Sequence, residues 1–182
     1  VRPGTYHETV TNLRRNVRLI GADPNDPPGA EWPVICGDGS GPVVTFVGWT
    51  TECRLSGFVI TGGQGESAAI HCEGGSPTIT NCLIVGNRSF DANGAIIFCD
   101  DSQATIVNCT IAGNHAPWSG AALMLIDSSA TVLNSVLWNP TMVYEVFTEG
   151  DSDPTIQYCA VNGWWADWGN IHKDPEFARP GQ

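Results

Sequence analysis

The chain has 182 residues, enough for one domain with a sizeable core and short for two. Its 19 Asp and Glu against 8 Lys and Arg give a net charge of −11 and a pI near 4.5, so the basic surface that a phosphate backbone needs is missing and nucleic acid is not expected as a partner. With 21 Gly, 12 Pro and 15% charged residues it suits short strands and turns; it has no apolar run near the roughly 20 residues of a membrane span, and the opening Val1-Arg2-Pro3-Gly4 is no leader, which predicts a soluble domain whose targeting segment is absent or removed.

In chain order, residues 1–52 read as degenerate N-terminal coils, one through Val34-Ile35-Cys36 and another from Val43 to Phe46. Regular coils occupy 53–162. Their first, imperfect copy is Arg54-Leu55-Ser56-Gly57-Phe58-Val59-Ile60, and the clear unit begins as Thr78-Ile79-Thr80-Asn81-Cys82. It returns from Thr105, Thr131 and Thr155, with starts 27, 26 and 24 residues apart. Within each copy apolar residues alternate, β-branched types are common, and Asn or Gly marks the turns, which is the signature of strands. Each repeat accommodates a strand, a two-residue Asn corner, a second strand, a variable loop and a third strand. One such unit cannot bury its inner face alone. Coils therefore stack about 4.8 Å apart, each strand pairing with its equivalent above and below, and the expected fold is an all-β parallel solenoid. Residues 163–182 are read as a cap or linker closing a single domain.

Alignment of the copies predicts three inward ladders: Leu55, Ile79, Ile106, Val132, Ile156; then Phe58, Cys82, Cys109, Ser135, Cys159; then Ile60, Ile84, Ile111, Leu137, Val161. The strand before each Thr adds Ile70 and Cys72, Ile97 and Cys99, and Leu123 and Leu125, leaving Ala69, His71, Glu73, Ile96, Phe98, Asp100, Ala122, Met124 and Ile126 outward. Five of the seven cysteines thus act as small core hydrophobes. Cys72 with Cys99 is geometrically able to bridge, while Cys36 and Cys53, outside the ladders, are the favoured pair if any forms. Asn81, Asn108 and Asn134 fall at tight corners suited to left-handed backbone and coil-to-coil amide bonding, so the sequons at Asn87 and Asn108 are read as chance matches.

On these repeats the chain resembles right-handed parallel β-helix proteins of the pectate-lyase-like superfamily, of the secreted bacterial type. Residues 1–10 and 16–22 are similar to the first coil of that superfamily, and Gly169-Asn170-Ile171-His172-Lys173-Asp174-Pro175-Glu176-Phe177 to a segment that often follows the last regular coil. The resemblance implies about six right-handed coils and an extracellular or cell-surface location. It is specific for fold and not for activity, since the superfamily holds lyases, hydrolases, esterases, epimerases and proteins without known activity. The strand that usually precedes the opening is absent here, as expected of a fragment of a longer protein, and exposed strand edges would then favour end-to-end self-association.

The resemblance places any sugar-cleaving site on the outer face of the strand before each Thr. A lyase needs a cationic base and usually calcium, and the regular coils supply only Arg54 and Arg88. The catalytic candidates are Asp100, Asp101, Asp127, Arg88 and the loop residue His115. Asp101, Asp127 and Asp151 all stand four residues before Thr, about 5 Å from coil to coil, and are candidate calcium ligands; turn capping by their Asp-Ser pairs is the favoured alternative. Paired carboxylates would serve inverting hydrolysis at about 6.5–9.5 Å separation. Trp118, Trp164, Trp165 and Trp168 are candidate sugar contacts, although the group from Trp164 to Trp168 is weighted toward closing the solenoid end. The apolar outer stripe is expected to be covered by the variable loops. No serine-elbow, phosphate-loop, zinc-helix or dinucleotide motif occurs. The functional expectation is a non-catalytic extracellular or cell-surface scaffold or glycan-binding module with a neutral glycan as ligand. The alternative is a polysaccharide lyase or glycoside hydrolase acting on a cell-wall or extracellular glycan; cofactors are none, or calcium.

Overall fold

A computed structural model describes residues 1–13, 16–22, 31–48, 53–90, 94–116, 121–142, 144–163, 165–166 and 168–177. Among them there is no helix. Three parallel sheets form a β-solenoid of about five turns. Sheet A stacks seven strands: Thr5–His7, Val34–Cys36, Val59–Thr61, Leu83–Ile84, Thr110–Ala112, Val136–Trp138 and Ala160–Val161. Sheet B stacks Val10–Leu13, Val44–Val47, Ser67–Glu73, Ala95–Asp100, Ala121–Ile126 and Tyr144–Glu149. Sheet C stacks Arg18–Ile20, Arg54–Ser56, Thr78–Thr80, Thr105–Val107, Thr131–Leu133 and Thr155–Gln157. The chain visits A, B and C in turn, so every strand pairs with its counterpart in the neighbouring coil. Val34–Cys36 and Val44–Val47, which the sequence reading assigned to separate coils, are two sides of one turn.

The register reproduces the predicted ladders. Leu55, Ile79, Ile106, Val132 and Ile156 are paired in succession in sheet C, and Ile60, Ile84, Ile111, Leu137 and Val161 in sheet A. Nearly all are sealed from solvent, and each such side chain contributes roughly 1.5–3 kcal/mol relative to exposure. Sheet B departs from strict alternation at its start. The register of Ala95–Asp100 against Ser67–Glu73 shifts between Ala95 and Ile97, and Ile96 and Ile97 both lie in the central core, along with Ala69 and Ala122. The three residues expected to face outward at that level, Ala69, Ile96 and Ala122, therefore face in.

The C-to-A corner has the anticipated left-handed backbone, with φ of 53°, 54° and 49° at Asn81, Asn108 and Asn134, and the Asn108 amide donates to Asn81 Oδ1 at 3.3 Å. Gly57 and Tyr158 take the same corner in flanking coils with φ of 77° and 56°. Residues 168–171 then copy that corner, and among the described residues no further strand of sheet B or C comes between. Tyr158 N donates to Trp168 O at 3.2 Å and Ile171 N to Cys159 O at 2.9 Å, while Asn170 Oδ1 accepts from Cys159 N at 2.9 Å.

None of the seven cysteines is in a disulfide. Cys36 closes a strand of sheet A, whereas Cys53 precedes one of sheet C and is buried in the core, and the two do not bridge.

Candidate functional site

The outer face of sheet B carries two columns, in register from coil to coil. One runs Thr45, His71, Phe98, Met124, Phe147; the other Val47, Glu73, Asp100, Ile126, Glu149. The His71 ring stacks on Phe98 at 5.4 Å and 3°. Phe98 and Met124 are only 8% and 5% exposed and form, with Ala95, a second small cluster outside the main core. Within the stripe Phe98 and Met124 are thus packed, with Ile126 and Phe147 partly buried against them.

The carboxylates gather one residue further on. Gly48, Gly74, Asp101, Asp127 and Gly150 share the B-to-C corner, with φ of 95°, 70°, 47°, 46° and 66°. Each donates its backbone N–H to the last strand residue of the next coil where that coil exists, as Gly74 does to Asp100 O and Asp127 to Glu149 O. Where the corner residue is glycine no side chain fills the space. Gly48, Gly74, Glu73, Asp100 and Asp101 accordingly line a pocket of about 250 Å³.

This register corrects the assumed alignment of aspartates. Gly150, not Asp151, is equivalent to Asp127, because Glu149 pairs with Ile126. Asp151 lies one residue beyond, and its N–H donates to Asp127 Oδ1 at 2.9 Å. The neighbouring serines form their own ladder: Ser102 N donates to Ser128 Oγ and Ser128 N to Ser152 Oγ, each at 3.0 Å. Asp127 and Asp151 are thus joined by a hydrogen bond from coil to coil, while Asp101 N donates to Ile126 O; among the described residues no group of three or more His, Cys, Asp or Glu is arranged to hold a metal.

Arg88 and His115 are brought together, bridged to each other in successive coils, with both side chains exposed and the Arg88 guanidinium 5.1 Å from the Phe90 ring centroid. They stand before the sheet B strands, whereas the acidic pocket lies after them. Ala95–Asp100 alone separates the two groups by roughly 16 Å at the usual strand rise, so the catalytic candidates form two sets and not one site.

Trp118 and Trp164 lie outside the described residues. Trp168 is 83% exposed beside Tyr158, itself 62% exposed. Trp165 instead packs partly buried against the core.

An interior amide ladder at the A-to-B corner went unread in the sequence. Gly63 N donates to Asn87 Oδ1 at 3.0 Å; Asn87 N and Nδ2 donate to Asn114 Oδ1, and Asn114 N and Nδ2 to Asn139 Oδ1. The recurrence of Asn near the end of each repeat was the available signal. Glu145 terminates this ladder: its carboxylate accepts from Asn139 N and, at 2.9 Å, from Asn139 Nδ2. Among the described residues it is the one buried carboxylate, 3% exposed. Burial raises its pKa above the ordinary value, against the opposing effect of hydrogen bonds from Asn139 and the Asn162 side chain.

No family profile, curated protein or solved structure matches this chain. Its class is therefore defined by its architecture, a three-sheet parallel β-solenoid.

Proposed function

We propose that the chain is a right-handed, pectate-lyase-like β-helix that works outside the cell or at its surface, binding a neutral glycan without catalysis. The carrying observation is the exposed aromatic pair at the last C-to-A corner, Trp168 and Tyr158. Two rings left in water supply apolar faces for pyranose rings, which gain from aromatic burial while their hydroxyls stay solvated. Neutral glycans are favoured because a net charge of −11 repels uronate polymers. Right-handedness follows the general rule for parallel crossovers. Affinity electrophoresis in gels containing neutral or acidic polysaccharides tests this reading: retardation by a neutral glycan, lost in Trp168→Ala, is expected, and unchanged mobility in every neutral gel would refute it.

A second reading, a polysaccharide-active enzyme, is favoured by the pocket where Glu73, Asp100 and Asp101 meet. Assaying a polysaccharide panel for new reducing ends and unsaturated uronates separates the two. Turnover abolished by Asp101→Asn would establish the enzyme.

A further inference from the structure

Glu145 does more than end a ladder. A carboxylate has about four acceptor positions, and Asn139 N and Asn139 Nδ2 occupy two, with the Asn162 side chain close enough to lower its pKa. Among the described residues, no Lys, Arg or His forms an ion pair with it, and no charge is among the influences on its pKa. A carboxylate that is 3% exposed and lacks a counter-ion is an unusual expense in a fold, since buried charges are normally paired.

The same residue lines a pocket of about 70 Å³, walled by Tyr144, Trp165 and Asn162 and by the backbone turn at Gly163. An apolar cavity of about 150 Å³ holds a benzene ring. This one is about half as large, too small for a pyranose and sized for a compact head group. Aromatic side chains in a pocket wall favour a cation, and a carboxylate with an open acceptor position takes a charge-assisted hydrogen bond. A hydroxyl would fill the acceptor position but leave the charge unbalanced; an ammonium satisfies both.

We propose that the pocket formed by Glu145, Asn162, Tyr144 and Trp165 binds the primary ammonium group of a small organic amine. The site stands on the last turn alone and does not rest on the glycan reading. An amino sugar and a simple alkylamine share this chemistry, and the ligand series separates them.

The test is calorimetric titration of the 182-residue chain with methylammonium, glucosamine, glucose and N-acetylglucosamine at constant ionic strength. Both amines are expected to bind and to compete, with the two neutral sugars about tenfold weaker or worse. Tighter binding of glucosamine than of methylammonium identifies an amino sugar; the reverse identifies an alkylamine. Glu145→Gln should abolish amine binding. Tyr144→Ala, at a side chain 47% exposed and outside the amide ladder, keeps the test valid if that variant fails to fold, and should weaken both amines about tenfold. Equal affinity for glucose and glucosamine, no amine binding at all, or amine binding that survives Tyr144→Ala unchanged would overturn the proposal. The last result would assign the amines to the acidic exterior.

Discussion

Asparagine does two different jobs in this chain, set by which side of the backbone its amide faces. At Asn81, Asn108 and Asn134 it tolerates a left-handed corner on the surface, a conformation that its short polar side chain relieves by local bonding. At Asn87, Asn114 and Asn139 it is interior, at most 3% exposed, and spends both ends of the amide on backbone and neighbouring coils. Glu145 replaces the next amide with a charge, and this has a pH signature. Because burial raises its pKa from the ordinary 4.5, the folded chain keeps a proton that the unfolded chain has already released. Its contribution to stability is therefore greatest below the unfolded value and declines as pH rises through the folded one. Urea unfolding of the parent and of Glu145→Gln across pH 3–8 should show their free-energy difference falling through that window and flat on either side. A difference independent of pH would mean that the carboxylate titrates normally.

At the level of strands and ladders, the periodic part of the fold was legible and the aperiodic part was not. The inward ladders of sheets A and C could be read to the residue because parallel, in-register stacking repeats one environment at every turn. The start of sheet B could not, since Ala69, Ile96 and Ala122 join the core beside Ile70, Ile97 and Leu123 and the two-residue alternation on which their assignment depended does not hold there. The aspartate alignment failed for a related reason. Counting back from Thr155 ignores the extra residue in the last B-to-C turn, and only the pairing of Glu149 with Ile126 reveals it. The cysteine ladder shows how environment decides tolerance. Ser135 occupies the same rung as Cys109, donating from Oγ to Leu133 O at 2.8 Å and accepting from Cys109 N at 3.1 Å. Cys109→Ser should accordingly cost about 1 kcal/mol or less, because a hydroxyl finds the same partners. Cys72 lies in sheet B opposite Cys99 and Phe46, and its hydrogen bond with Cys99 together with burial holds the thiol well above its ordinary pKa. Cys72→Ser should cost about 2–3 kcal/mol in the same thermal or urea melts. Equal losses at the two positions would show that the rungs are energetically alike.

Over the whole molecule, each coil touches only its neighbours, so stability is distributed along one dimension. Amide hydrogen exchange should be slowest in the strands from Thr78–Thr80 to Thr131–Leu133, which have a coil on each side, and faster in Thr5–His7 and Ala160–Val161. Uniform protection from end to end would instead indicate a single cooperative unit. The candidate site was less legible than the fold at this scale. A repeat advertises what is common to all turns, whereas the buried carboxylate and its aromatic walls occur once. Tyr144, Glu145 and Trp165 converge only when Tyr144–Glu149 is placed beside the turn after Ala160–Val161.

The bonds that end on a ladder side chain all run in the same direction, from Gly63 through Asn87 and Asn114 to Asn139, and the row is closed by a carboxylate that only accepts. A repeat duplicated between Asn87 and Asn139 brings one acceptor and one donor and leaves both ends satisfied. A repeat grafted beyond Glu145 meets a carboxylate with no N–H to pass on. This solenoid can therefore be lengthened or shortened from within, a turn at a time, while its amide terminus stays fixed.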